Sequence, residues 1–355
     1  MTIKQNQELQ EMLEDMQNQS FYYKPTAFWE EASRVIIDEA ITKDLKNFRA
    51  FKSSRSMFVP AYALPNYLSD PSLFDTLKHT LSNIISDPKT NIKLNYLING
   101  ETQAYSDYRV LCASNKNLAP YTDKISESNI GNPLEQFTFD NRHFSRSFLN
   151  YLLGLNFLKQ HIDTTNIKKV MEIGGGFGTL GEILLGDERN DCFYINADIP
   201  PVSHFSSYYL KTLLGEENVA SYSELKNLDI LDIDTLSQNY KALNLCSWQV
   251  PNLRGKIDLF VNFISFQEME PIIVKNYCHY IDKLEPKYIL LRNIQEGKKK
   301  KSATHIYGVE EPIFGNDYDT FLPNYKLIQT DDSIFGLKME DNFHSQLRLY
   351  IRKYE

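Results

Sequence analysis

A strand that ends in three alternate glycines and runs straight into a helix leaves a chain few folds, and residues 168–184 read that way. Lys168 to Ile173 reads as a strand; Gly174, Gly176 and Gly178 follow, and Leu180, Ile183 and Leu184 set a helical period. Glycine is needed where a chain leaves a strand, turns sharply and lets a ligand approach its backbone, because a Cβ there would collide or forbid the dihedrals. The alternation continues, with a strand over 192–197, a helix over 203–214, a weaker strand over 243–247 and an apolar strand over 257–264. A helix from Met269 to Leu284 and a strand over 287–291 follow. Strand-helix alternation of this kind predicts an α/β fold with a parallel sheet. Tyr325–Thr330 and Gln346–Arg352 differ: they are separated by a polar stretch with no room for a full crossover helix, so they should pair antiparallel.

The region before this unit has another character. Residues 1–140 read as mainly helical, with Phe28, Ala32, Val35, Ile36 and Ala40 at helical spacing, and Pro60, Pro65, Pro71 and Pro88 punctuating shorter pieces. Asn129 to Pro133 is a turn cluster, and the α/β region is expected over 141–355. A chain of 355 residues suits two domains or one with a large extension. The net charge of -8 disfavours a phosphate backbone as partner. Cys112, Cys192, Cys246 and Cys278 lie 80, 54 and 32 residues apart, a spacing without a disulfide framework or a Cys-x-x-Cys pair. With no secretory or membrane-spanning apolar segment, a cytoplasmic protein without a membrane anchor is expected.

The residues around the glycine turn narrow what it holds. Gly176-Phe-Gly178-Thr-Leu-Gly181 satisfies the dinucleotide fingerprint, and Asp198 lies 20 residues beyond Gly178, where a ribose-binding acid is expected. Glu172 weighs the other way. A dinucleotide presses an anionic pyrophosphate against the turn and the helix amino terminus, where a strand-end carboxylate is unwelcome. S-adenosylmethionine has no phosphate, and its ammonium and sulfonium are cationic, so the same carboxylate is useful. The expected cofactor is therefore S-adenosylmethionine, held by Glu172, Gly174, Gly176, Gly178, Asp198 and Ile199. Ser247 and Asn262 should reach the same rim, beyond the carboxyl ends of later strands.

Three blocks in order, Val170 to Leu180, Tyr194-Ile-Asn-Ala-Asp198-Ile-Pro-Pro201 with Tyr208-Tyr-Leu210, and Asn262-Phe-Ile-Ser-Phe-Gln-Glu-Met269, resemble the bacterial sugar O-methyltransferase family. The resemblance runs from Asn141 to the carboxyl terminus and covers the first 140 residues weakly. It implies a class I methyltransferase (Rossmann-like) fold, with a mostly parallel seven-stranded sheet and an antiparallel terminal hairpin. It also implies S-adenosylmethionine as donor and a sugar hydroxyl as acceptor. A non-sugar small molecule methylated at oxygen or nitrogen, or a silent protein that keeps the fold, are the other readings.

A sugar hydroxyl is a poor nucleophile while protonated, so a positioned base is expected. Glu268, on the loop after the 257–264 strand, is the leading candidate, although an acid at the first turn of a helix is also favoured by the helix dipole alone. His204 and His305 offer imidazoles that suit neutral pH, and each also fits a surface or core histidine. No metal-ligand cluster is evident. The 296–316 segment is long for a connection and carries Lys298 to Lys301, which fits a solvated loop or a lid. Phe21, Tyr22, Tyr23, Phe28 and Trp29 fit a substrate cap, a homodimer face or ordinary helical packing.

Overall fold

The alternation read from the sequence builds one central sheet in the computed structural model, which describes residues 3–58, 71–84, 87–90, 99–339 and 344–353. In chain order its strands are β1 (Lys169–Ile173), β2 (Phe193–Asp198), β3 (Val219–Ala220), β4 (Ala242–Cys246), β5 (Leu259–Phe263), β6 (Tyr288–Ile294), β7 (Tyr325–Asp331), β8 (Leu337–Lys338) and β9 (His344–Arg352). Across the sheet they run β7-β9-β6-β5-β1-β2-β4-β3, with β8 paired to β9. The two-residue strands β3 and β8 are additions to the seven expected.

Strands β1 to β6 pair parallel, as where Val170 lies beside Tyr194 on one side and Leu259 on the other. β9 runs antiparallel to both neighbours, with Leu349 opposite Leu290 of β6 and Tyr350 opposite Leu327 of β7. The last long strand is thus inserted between β6 and β7. A dinucleotide-binding sheet has the all-parallel order 3-2-1-4-5-6, so the closing hairpin separates this fold from that one.

Parallel strands are covered on both faces and read as continuous apolar runs. β5 (Leu-Phe-Val-Asn-Phe) is buried along its whole length, and its one polar residue is satisfied: the Asn262 amide donates to Ile173 O at 2.9 Å. One face of the sheet packs Val170, Tyr194 and Leu290 against the helices over Arg146–His161 and Val202–Leu214, and the other packs Met171, Phe260 and Leu291 against the helix over Pro271–Lys283. That last helix begins two residues later than the Met269 period suggested, because Glu268 closes a separate 3-10 turn, Ser265–Glu268.

The amino-terminal region is helical: α1 (Ile3–Gln17), α2 (Ala27–Thr42), α3 (Lys52–Phe58), α4 (Pro71–Ile84) and α5 (Glu101–Ser114). Pro60 and Pro65 lie outside the described residues. This region does not make a core of its own, because Leu9, Ile36, Phe48 and Phe51 share one cluster with the sheet residues Val170 and Tyr194. Within α2, Ile36 and Ala40 join that core and Phe28 and Ala32 are also buried, whereas Val35 is 45% exposed. The Arg146–His161 helix, with Ser145 capping Phe148 N at 3.1 Å, is buried nearly all round because α5 covers the side away from the sheet.

Candidate active site

A cleft of about 1050 Å³, counting its open mouth, lies beyond the carboxyl ends of the parallel strands. Ile173 of β1, Asp198 of β2, Ser247 after β4, Phe263 of β5 and Arg292 of β6 all line it. This is where open α/β sheets bind ligands. The roof comes from the amino-terminal region, through Lys24, Thr26 and Trp29 at the start of α2 and Met57 and Phe58 at the end of α3.

The glycine turn forms the floor. Gly174, Gly176 and Gly178 hold φ of +70°, +61° and +98°, the left-handed region that L side chains rarely adopt. Gly174 is fixed twice over, since a Cβ there would come 2.0 Å from Ser265 Oγ. That hydroxyl donates to Ile173 O at 3.0 Å and accepts from Asn262 Nδ2 at 2.6 Å. At Gly176 a Cβ would meet only Phe58, at 3.6 Å, so it would occupy the cleft itself. The next strand end is also strained: Ile264, which lines the cleft, has φ +75°. Such conformations store roughly 1–3 kcal/mol and gather at ligand sites.

Asp198 stands at the end of β2 with its carboxylate against the turn. It accepts from Gly176 N at 3.1 Å and from Ile199 N at 2.8 Å. It is half-buried in the cleft lining, and desolvation pushes its carboxyl up to about 8 against the pull of those two amides. Two oxygens at this rim, partly unsatisfied, suit a diol. Ile199 lies beside Asp198 in the lining, and Ser247 lines the cleft while its hydroxyl donates to Tyr23 O at 3.1 Å.

Glu172 takes a position behind the turn. Its carboxylate accepts from Tyr151 Oη and Tyr194 Oη, each at 2.7 Å, and burial raises it to about 7 in spite of both bonds. It does not line the cleft. A Cβ on Gly175 would lie 2.4 Å from Asn196 Oδ1 and 2.5 Å from Glu172 Oε2, so that glycine is required by the acid beneath it. Gly178, the amino-terminal cap of the Thr179–Leu185 helix, and Asn262 likewise sit outside the lining and shape it from below.

Glu268 does line the cleft. Its Oε2 accepts from Trp29 Nε1 at 3.1 Å, its Oε1 from Lys298 Nζ at 2.7 Å, and its backbone carbonyl from Thr26 Oγ1 at 2.7 Å. The Lys298 ammonium also stands over the Phe28 ring, 3.7 Å from its centroid. Lys301 approaches Glu31 of α2 at 3.9 Å, so the lysine-bearing segment is docked on the helix that roofs the site. The two histidines are elsewhere. His204 is buried in the Val202–Leu214 helix, with Nδ1 3.6 Å from Glu8 of α1, and His305 closes a tight turn with Ser302; neither lines the cleft.

Neither protein-family models nor curated proteins give a match to the chain. Among solved structures it is similar to a mitomycin 7-O-methyltransferase, at 13% identity and TM-score 0.37, over 59% of this chain and 54% of that one. It is similar to the magnesium protoporphyrin IX methyltransferase of Synechocystis PCC 6803 with bound S-adenosylmethionine, at 9% and 0.37, over 57% and 79%. A third is the 1,6-didemethyltoxoflavin-N1-methyltransferase of Burkholderia thailandensis, at 10% and 0.38, over 58% and 79%. The match thus spans about half the length of the mitomycin enzyme. The strand order carries the assignment. The fold is the class I methyltransferase fold.

Trp29, one of the aromatics that fit a substrate cap, holds Glu268. The sequence assigns no site role to Tyr151 and Tyr194, which hold Glu172, or to Arg292, Asn150 and Ser147, which line the side of the cleft nearest β6. Of these only Arg292 carries a signal. A charged residue inside the apolar run Tyr288-Ile-Leu-Leu-Arg292 has to be explained by a partner or a ligand.

Proposed function

We propose that this chain is an S-adenosylmethionine-dependent methyltransferase whose acceptor is a hydroxyl of a sugar or glycosylated metabolite. The observation that carries the reading is the junction of the glycine turn with Asp198: a left-handed turn open to the cleft lies under a carboxylate at the end of the neighbouring strand. Gly174 and Gly176 leave room for the donor's amino-acid part to lie against backbone, and Asp198 takes the ribose hydroxyls. Ile199 and Ser247 border the nucleoside end. Glu172, behind the turn, gives the region a polar, acid-bearing floor that suits a cationic donor better than a pyrophosphate.

S-adenosylmethionine supplies a methyl group on a sulfonium. The acceptor oxygen takes that methyl as the carbon–sulfur bond breaks, with its electrons going to sulfur, and the hydroxyl proton passes to a base. Among the described lining residues the carboxylates are Asp198 and Glu268. With Asp198 on the ribose, Glu268 is the group placed to receive the proton, and Lys298 and Trp29 fix its orientation. His204 and His305, away from the cleft, are not assigned that role. The roof from residues 21–58 acts as the substrate cap, excluding water and positioning the two reactants, which is where in-line transfers gain much of their rate.

The sugar acceptor rests on the three sequence blocks that resemble the sugar O-methyltransferases. It is tested by incubating the protein with labelled donor and a panel of nucleotide sugars, polysaccharides and non-sugar phenols and amines. Label in a sugar-bearing product supports the reading, and label confined to the non-sugar acceptors contradicts it.

A further inference from the structure

Arg292 is 1% exposed and carries the delocalised cation of a guanidinium. It donates from Nε to Ser345 Oγ at 3.0 Å and from Nη1 to the Asn150 carbonyl at 3.2 Å, both neutral oxygens. Among the described residues no carboxylate lies within 4.0 Å of it. Asp107 of α5 feels its charge without touching it: burial pushes that carboxyl up to about 6, opposed by Arg292, Gln103 and Arg146. The other buried arginines of the region have an acid in contact, Arg49 with Glu127 and Arg146 with Glu135. A buried cation left without a counter-charge is costly, and the side of Arg292 left open faces the cleft.

Two more polar groups converge there. Ser147 and Asn150 lie three residues apart, on one face of the first turns of the Arg146–His161 helix, and both line the cleft. Neither the Ser147 hydroxyl nor the Asn150 side-chain amide has a protein partner among the described residues, although Asn150 is only 4% exposed. Tyr151 and Phe263, stacked with centroids 4.9 Å apart and rings within 11° of parallel, wall the same end with aromatic surface. The result is a pocket end with a fixed positive charge that has no acid in contact among the described residues, beside an amide and a hydroxyl without a protein partner.

We propose that Arg292, Asn150 and Ser147 form a carboxylate-binding subsite, an inference that rests on reading the cleft as the donor site. A planar guanidinium with an adjoining amide matches a carboxylate better than a neutral hydroxyl. The same chemistry has two sources here, the amino-acid carboxylate of the donor and an acidic group on the acceptor.

Calorimetric titrations of the full chain separate them. One pair of probes is S-adenosylhomocysteine and its decarboxylated analogue; the other, with S-adenosylhomocysteine already bound, is D-glucuronate and D-glucose. Arg292→Met is expected to weaken the carboxylate-bearing member of one pair about 10–100-fold and to leave its carboxylate-free counterpart within twofold. Asn150→Ala, which removes no hydrogen bond within the protein, is expected to act in the same direction by about three- to tenfold, and it decides the question if Arg292→Met does not fold. An effect in the first pair places the donor carboxylate at Arg292, and an effect in the second makes the acceptor an acid. Equal binding of both members of both pairs by the wild type and the variants overturns the subsite alone. A wild-type protein that binds no S-adenosylhomocysteine overturns the donor reading, and the subsite with it.

Discussion

Trp29 Nε1 donates to Glu268 Oε2 at 3.1 Å across 239 residues of sequence, and this bond ties the amino-terminal helical region to the loop that follows β5. Lys298 grips the other oxygen of the same carboxylate at 2.7 Å. One acid therefore joins the roof, the loop after β5 and the 296–316 segment, and it is also the group assigned to take the acceptor's proton. The Glu268→Gln variant keeps the shape and loses the proton acceptor. Turnover is expected to fall about 10²–10⁴-fold while S-adenosylhomocysteine affinity stays within about threefold. Retained kcat, measured on whichever acceptor the labelling panel identifies, removes Glu268 from the base role.

Trp29→Phe keeps a ring over the cleft and deletes the indole N–H. The lost bond to a charged acceptor is worth about 1.5–3 kcal/mol at most, and less where water enters through the mouth. The expected result is kcat lowered about five- to tenfold, because Glu268 loses one of its two orienting partners, with KM for the acceptor within about threefold, read from initial rates. Unchanged kcat would contradict a role for Trp29 in orienting Glu268.

Gly174→Ala tests the floor. The added methyl carbon would stand 2.0 Å from Ser265 Oγ on a backbone held at φ +70°. Both the clash and the dihedral are unfavourable, so urea unfolding should show a loss of about 1–3 kcal/mol, with donor binding reduced at least tenfold. Gly174→Ala with Ser265→Gly relieves the clash and leaves the dihedral strain, so it should recover part of the loss. Full recovery would mean that the left-handed conformation is not required.

Glu172, buried, and Asp198, half-buried, make the ligand-free protein sensitive to pH. Burial holds Glu172 at about 7 and Asp198 at about 8, both above their ordinary values near 4. A folded-state pKa above the unfolded one gives a contribution that is fully present below about pH 4 and is lost as pH rises through about 7 and 8. Unfolding free energy, apart from other groups, should decline over that window, and Asp198→Asn should flatten it. On the proposed placement of the donor, binding has the opposite slope, because the ribose hydroxyls would donate to an ionised Asp198. S-adenosylhomocysteine affinity should rise by up to about tenfold per pH unit below 8 and then level off. In Asp198→Asn the slope should vanish, and an unchanged slope would place the titrating group elsewhere.

The parts of this molecule legible in the sequence are those with local causes. The 3.6- and 2-residue periods locate most of the strands and helices, and the glycines mark the turn because left-handed backbone has a one-residue signature. Asp198 follows from its place in the alternation. What the sequence hides is set by tertiary packing. Glu172 is legible as an acid beside the turn, but its screening by Tyr151 and Tyr194 depends on a helix and a strand 21 and 22 residues away. His204 looks available after the Asp198 loop, yet α1 covers it, and nothing within the Val202–Leu214 stretch announces a helix from the other end of the chain. Lys298 reads as one of four solvated lysines, and only the folded chain shows it on Glu268.

In the proposed reading the glycine turn and Asp198 hold S-adenosylmethionine rather than a dinucleotide. Isothermal titration of the full chain with S-adenosylhomocysteine and, separately, with NAD is the direct measurement. Saturable 1:1 binding of S-adenosylhomocysteine, weakened at least tenfold in Gly174→Ala, and no binding of NAD are expected. Saturable NAD binding without S-adenosylhomocysteine binding would contradict it.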